Sequence, residues 1–188
     1  MTREELEHAI RASCDVTGDT EIWIFGSQAI LGQYPQAPKA LRQSAECDVS
    51  PRNYPEKLDL IDGALGELSQ FHRTHGFYVH GLSLEAAALP EGWQGRAIKV
   101  QNENTRQNAG YCAEAHDLAA SKLAAFRDKD RSFVRVLLVE GLIDADTLAS
   151  RIEDIQCSDN VRERLLRWLH GTRGGLDCSD RRSGAQDG

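Results

Sequence analysis

Apolar residues recur along this chain first with helical spacing, then in strand-like runs, then with helical spacing again. Leu6, Ala9 and Ile10 fall on one side of a helix over Glu4 to Ala12. A turn follows at Asp15 to Asp19, and the apolar run from Glu21 to Phe25 predicts a strand buried on both faces. Ser27 to Gln33 reads as a short helix that Tyr34-Pro35 and Pro38 break, with a brief helical turn at Lys39 to Gln43. Glu46 to Ser50 alternates polar and apolar residues as a strand does, and Pro51 ends it. Leu58, Ile61, Leu65, Leu68 and Phe71 share one face of a helix predicted from Leu58 to His72. Gly76 to Leu82 predicts a strand, Pro90-Glu91-Gly92 a turn, Arg96 to Val100 a strand, and Gln101 to Gly110 a loop. Four helices follow, near His116 to Arg127, Asp130 to Glu140, Ala145 to Ile155 and Asp159 to His170. The domain organisation expected is therefore an α/β core over 1–112, a helical part over 113–170, and a tail over 171–188. The Gly-, Ser- and Asp-rich composition of that tail predicts disorder.

Composition narrows what such a chain does. Its 188 residues suffice for one domain with a helical extension and a substantial core. Twenty-nine acidic residues against 22 basic ones leave a net charge of −7, which argues against nonspecific DNA binding. No apolar run approaches the roughly 20 residues of a membrane span. The N-terminal MTREELEHAI reads as an acidic amphipathic helix, not a signal peptide. Cys14, Cys47, Cys112, Cys157 and Cys178 are odd in number, widely spread and without a CxxC pair. That pattern speaks against structural zinc and a disulfide framework, and fits a reducing cytoplasm.

Two features carry candidate chemistry. In "IWIFGSQAIL" a strand stops at Gly26-Ser27 and a helix begins at once. Free backbone N–H groups at such a junction hold anions well, and Ser27 adds a hydroxyl. The same residues also make an ordinary glycine turn with Ser27 as N-cap. In Glu46-Cys47-Asp48 the two acids stand at i and i+2, so a strand turns both to one face and Cys47 to the other. Paired carboxylates beside a phosphate site are a Mg²⁺-binding arrangement, and they are equally a solvated acidic strand face.

A strand, a Gly-Ser opening a helix, and two acids one residue apart on the next strand together resemble the nucleotidyltransferase superfamily. The segments "GSQAILGQYP", "ECDVSP", "GELSQFHRTHGFYVHGLS", "LPEGWQGR" and "HDLAASKLAAFRDKDRSFVR" resemble one bacterial family within it, the DUF6036 nucleotidyltransferase-like proteins. A more distant similarity reaches the AbiEii-type toxins of toxin–antitoxin systems. The resemblance implies an α+β fold: a small mixed sheet flanked by helices and followed by a C-terminal helical bundle. It implies that Gly26 and Ser27 hold the phosphates of an NTP and that Glu46 and Asp48 hold Mg²⁺. It implies further that Lys122 faces the nucleotide and that Asp130 lies near the active site. The sequence departs from the pattern in two ways: the first acid is Glu, and the spacer from Ser27 to Glu46 is long.

Each of these residues also has a plainer reading. Lys122 stands beside Ala115, Leu118, Ala119 and Phe126 on a helix, where it either snorkels or meets an anion. Asp130 precedes an apolar run and suits a helix N-cap. Arg127, Lys129 and Arg131 form a basic rim or a solvated surface. Where many nucleotidyltransferases carry a third carboxylate, the strand Phe77 to Leu82 offers His80, as a base, a weak ligand or a hydrogen-bonded strand histidine. Acidic neighbours make Cys47 a poor nucleophile. Trp93 reads as an apolar anchor, His116-Asp117 as a helix cap, and there is no Walker-type or GxGxxG loop.

The function expected is Mg²⁺-dependent transfer of a nucleotide from an NTP to a hydroxyl of RNA or protein. Its partners would be a nucleotide and, by the distant resemblance, an antitoxin protein or tRNA. The alternative is a catalytically inactive binding or regulatory module on the same fold.

Overall fold

The computed structural model describes residues 1–183, with side chains through 174. They form two compact units: Met1–Ala87 with Gly92–Leu118, and Ala88–Glu91 with the chain from Ala119 onward. The fold is α+β, as expected, with a mixed sheet and a C-terminal helical region.

The first unit is built on a sheet of β1 (Glu21–Ile24), β2 (Glu46–Pro51), β3 (Tyr78–Gly81), β4 (Ile98–Val100) and β5 (Ala109–Cys112), in the order β3-β2-β1-β5-β4. β1 runs antiparallel to β2 and parallel to β5, β2 is parallel to β3, and β4 is antiparallel to β5. Because side chains alternate across a strand, this register sorts residues between two faces. Ile22, Ile24, Cys47, Val49, Val79 and Cys112 point to one face and are almost wholly buried. Against it pack α1 (Arg3–Thr17) and, after the short α2 (Ile30–Gln33), α3 (Leu58–Leu65). Leu6, Ala9, Ile10, Ile61 and Leu65 of α1 and α3 complete this core. A Cβ on Gly110 would stand 2.4 Å from Ile10 Cδ1, so the strand needs glycine there for α1 to lie this close.

The other face carries the polar residues. Glu46 stands opposite Tyr78, Asp48 opposite His80, and Trp23 opposite both Ser50 and Tyr111. At the Trp23 end, Trp93 packs edge-on at 4.9 Å, as its apolar-anchor reading expects. The Arg52 guanidinium lies 4.7 Å from the Trp23 ring centroid and 4.5 Å from that of Tyr111.

Local signals explain most element boundaries. Thr2 and Glu5 form a reciprocal capping box that starts α1, and left-handed Gly18 ends it. The helix expected from Leu58 to His72 is two helices, α3 and α4 (Gln70–His75). Gly66 is extended, Leu68 has φ of 65° and is 73% exposed, and the Ser69 hydroxyl accepts the His72 N–H at 3.1 Å. A serine N-cap inside the periodic run thus restarts the helix and puts Leu68 in water. The segment read as a strand from Arg96 divides into α5 (Trp93–Arg96) and β4. The end of the expected loop, Ala109 to Cys112, is β5.

The first turn of α6 (Ala115–Ala125) belongs to the first unit. Its start is set by Glu114, whose carboxylate accepts the N–H groups of His116 and Asp117 at 3.0 and 3.4 Å. Asp117 is not the expected cap: it is fully buried and receives the Arg96 guanidinium in a two-pronged pair at 2.9 and 2.8 Å.

The second unit is helical. The remainder of α6 is followed by α7 (Asp128–Val139), α8 (Ala145–Glu153) and α9 (Asp159–Ser183). Ala119, Leu123, Val134, Leu137, Leu148, Ile152, Leu165 and Leu169 form its core. Asp144 caps α8 by accepting the Thr147 N–H at 2.7 Å. α9 continues past His170, where the pattern predicts its end, through 171–183 of the tail expected to be disordered. The rest of that tail, 184–188, lies outside the described residues.

Candidate functional site

β2 and β3 bring three ligand-type side chains together. Their parallel register sets Asp48 beside His80 and Glu46 one pleat away on the same face. His80 Nδ1 lies 3.2 Å from Asp48 Oδ1 and 3.3 Å from Glu46 Oε1. One donor atom from each of the three falls within 4.8 Å of the others. The side chains remain reachable, with 37% of Glu46, 20% of Asp48 and 40% of His80 exposed. Two carboxylates share one imidazole here, an oxygen-rich donor set suited to a divalent cation.

Tyr78, two residues before His80, points to the same face and stands opposite Glu46 in the β2–β3 register. Burial raises the phenol's pKa, and the charges of Glu46, Glu67 and Asp48 raise it further. Tyr78 is therefore a neutral phenol beside the acids of this face. Its i, i+2 spacing from His80 gives only its face; the β2–β3 register, which periodicity does not encode, sets it opposite Glu46. Cys47 points the opposite way and is fully buried. Burial pushes its thiol pKa well up, and Asp48, Cys112 and Glu46 add to the shift, which removes it as a nucleophile. Cys112 is also fully buried, and burial pushes its thiol up to about 12, which removes it as a nucleophile as well.

Gly26 adjoins this cluster. A Cβ built on it would stand 1.8 Å from Asp48 Oδ2 and 2.7 Å from Asp48 Cγ. Its φ of −79° is open to any residue, so the glycine serves close approach. Ser27 does not act as the expected N-cap. Gly26 occupies the cap position, and Ser27 is the first residue of a 3-10 turn, Ser27–Ala29, that leads into α2. Gln28 is fully buried and donates its amide Nε2 to the Ser44 carbonyl at 3.0 Å. That bond ties the Gly-Ser turn to the segment entering β2. Gln28 Oε1 has no hydrogen-bond partner among the described residues.

Lys122 and Asp130 lie in the second unit and pair with each other, Nζ to Oδ1 at 3.7 Å. Asp130 is not the N-cap of α7; that position is Arg127, and Asp130 sits inside the first turn with 2% exposure. Its carboxylate also receives Arg127 Nε at 2.6 Å and Nη2 at 3.3 Å. Lys122 is 15% exposed, and its Nζ stands 5.7 Å from the Phe133 ring centroid. The expected basic rim is drawn into local pairs, Arg127 with Asp130 and Arg131 with Asp128.

Among the described residues no helix is long and apolar enough to cross a membrane. The family model described as "Nucleotidyltransferase of unknown function (DUF6036)" matches residues 5–170. No curated protein and no solved structure matches the chain. The chain belongs to the DUF6036 family.

Proposed function

We propose, taking that membership as the premise, that the β2–β3 face transfers a nucleotide from an NTP to an acceptor hydroxyl. The observation that carries this is the convergence of Glu46, Asp48 and His80 beside Gly26. Glu46 and Asp48 would hold a divalent cation, Mg²⁺ by expectation, which when bound neutralises charge on the reacting phosphate. Gly26 leaves room for the Asp48 carboxylate, and Tyr78 stands opposite Glu46. The Gly26-Ser27 turn would offer its first N–H groups and the Ser27 hydroxyl to the β- and γ-phosphates, since the first N–H groups of a helical turn lack partners within it. The acceptor oxygen forms a bond to the α-phosphorus, the bond to pyrophosphate breaks, and the acceptor proton passes to solvent.

Lys122 and Asp130 enter the proposal as catalytic residues through the resemblance alone, which turns Lys122 to the nucleotide and places Asp130 near the active site. An RNA 3′ end or a protein side chain as acceptor, and a toxin role with a cognate antitoxin, rest on the distant similarity. The alternative is a nucleotide-binding module without catalysis. Glu at position 46 and His80 in place of a third carboxylate favour it.

Incubation with α-labelled NTPs, Mg²⁺, and total cell RNA or protein tests the proposal, with a Glu46→Ala/Asp48→Ala variant beside the native chain. Label transfer lost in the variant supports the enzyme. Metal-dependent nucleotide binding without transfer supports the module. Absence of nucleotide binding rejects both.

A further inference from the structure

The third ligand position separates this cluster from an all-carboxylate one. Donors about 2.1 Å from one ion and at right angles to each other stand about 3.0 Å apart. His80 Nδ1 lies 3.2 and 3.3 Å from one oxygen each of Asp48 and Glu46, close to that spacing. A small closure of three side chains, each 20–40% exposed, would bring them to a shared ion.

We infer that His80 is a metal ligand and that it makes the site selective for Mn²⁺ over Mg²⁺. This rests on the cleft proposed above and names the ion it takes. Mg²⁺ prefers an all-oxygen shell and gives up water reluctantly, so it gains little from an imidazole nitrogen. Mn²⁺ suits carboxylate and phosphate oxygens as Mg²⁺ does, and as a transition ion it also accepts imidazole. With one imidazole among two carboxylates, the selective ion is one comfortable with both donors. Gly26 leaves room for the Asp48 carboxylate at the place where His80 meets it.

Binding, not turnover, is the readout. Mn²⁺ alone is titrated into the full chain and followed by loss of the free-ion EPR signal, and Mg²⁺ alone is titrated by calorimetry. The native chain is expected to bind Mn²⁺ about tenfold more tightly than Mg²⁺, with a directly bound nitrogen in the pulsed-EPR spectrum. His80→Ala should lose that nitrogen signal and about tenfold or more in Mn²⁺ affinity, with Mg²⁺ affinity nearly unchanged. His80→Asp, which retains a ligand and guards against a misfolded alanine variant, should move the preference toward Mg²⁺. A Mn²⁺-to-Mg²⁺ ratio that neither substitution alters overturns the inference while leaving the carboxylate cleft standing. A Glu46→Gln/Asp48→Asn variant that binds Mn²⁺ like the native chain overturns the inference and the cleft together.

Discussion

Two clusters in this protein pair carboxylates with nitrogen-bearing side chains, and they do so in opposite proportions. On the β2–β3 face two carboxylates share one imidazole, and every member is partly exposed. In the second unit one carboxylate, Asp130, is shared by Lys122 and Arg127 and is 2% exposed. The first cluster has acid to spare and is open to solvent, as a site for a cation requires. The second surrounds a buried acid with cations, which is how a buried charge is made tolerable. A residue's type does not separate the two; stoichiometry and exposure do.

The sharpest way to break the comparison is Gly26→Ala. The new Cβ would overlap Asp48 Oδ2, so the carboxylate must leave its place. Nucleotide transfer should fall at least about hundredfold, in line with the loss of a catalytic metal ligand's geometry. Circular dichroism should show the fold retained. Transfer unchanged in this variant would remove Asp48's position from the account.

The second test acts on the closed cluster. Asp130→Ala leaves two cations without their shared acid, and should cost roughly 3 kcal/mol of stability in denaturant titration. Divalent-cation binding to the intact protein should stay within about twofold of native, since the ligands proposed for it lie elsewhere in the chain. Lys122→Met sharpens the same point. It keeps the stem's packing and removes the charge, and should cost about 1–2 kcal/mol. If Lys122 also faces the nucleotide, as the resemblance implies, transfer would fall about hundredfold as well, and a kinetic assay separates the outcomes.

The smallest effect is expected at Glu7, a closed carboxylate within the first unit. Burial by itself raises its pKa, but hydrogen bonds from Asn104, Arg3 and Asn102 outweigh that and lower it overall. A depressed folded-state pKa contributes stability above the unfolded value of about 4.3, and that stability is lost as pH falls through the folded value. Glu7→Gln should therefore lower stability by about 1 kcal/mol at pH 7, with the gap closing below about pH 4. A gap that persists at pH 3 would assign Glu7 a packing role only.

The open cluster was far more legible in the sequence than the closed one. Glu46-Cys47-Asp48 is a local statement, because strand alternation alone dictates that both acids share a face. Gly26 was marked by an abrupt change from strand to helix, although its physical role, room for Asp48, depends on the β1–β2 pairing. His80 was visible as a strand residue, but its place beside Asp48 is set by parallel register, which periodicity does not encode. Tyr78 was missed for the same reason. Asp130 misled because a polar residue before an apolar run is a sound cap signal, and only three-dimensional packing shows Arg127 and Lys122 closing on it. The break at Leu68 and the strand over Ala109 to Cys112 were hidden by composition. Leu68 keeps the helical period it does not use, and Ala109-Gly110 lacks the β-branched residues that mark a strand.

The central claim is that the acid–imidazole face is where metal and nucleotide meet. A crystal grown with Mn²⁺ and a non-hydrolysable NTP analogue, read by anomalous scattering at the manganese edge, tests it most directly. The predicted result is one manganese peak within about 2.0–2.4 Å of Glu46, Asp48 and His80 donors, with phosphate oxygens on its open side next to Ser27. Manganese and nucleotide bound elsewhere, with His80 still bridging two carboxylates, would contradict it.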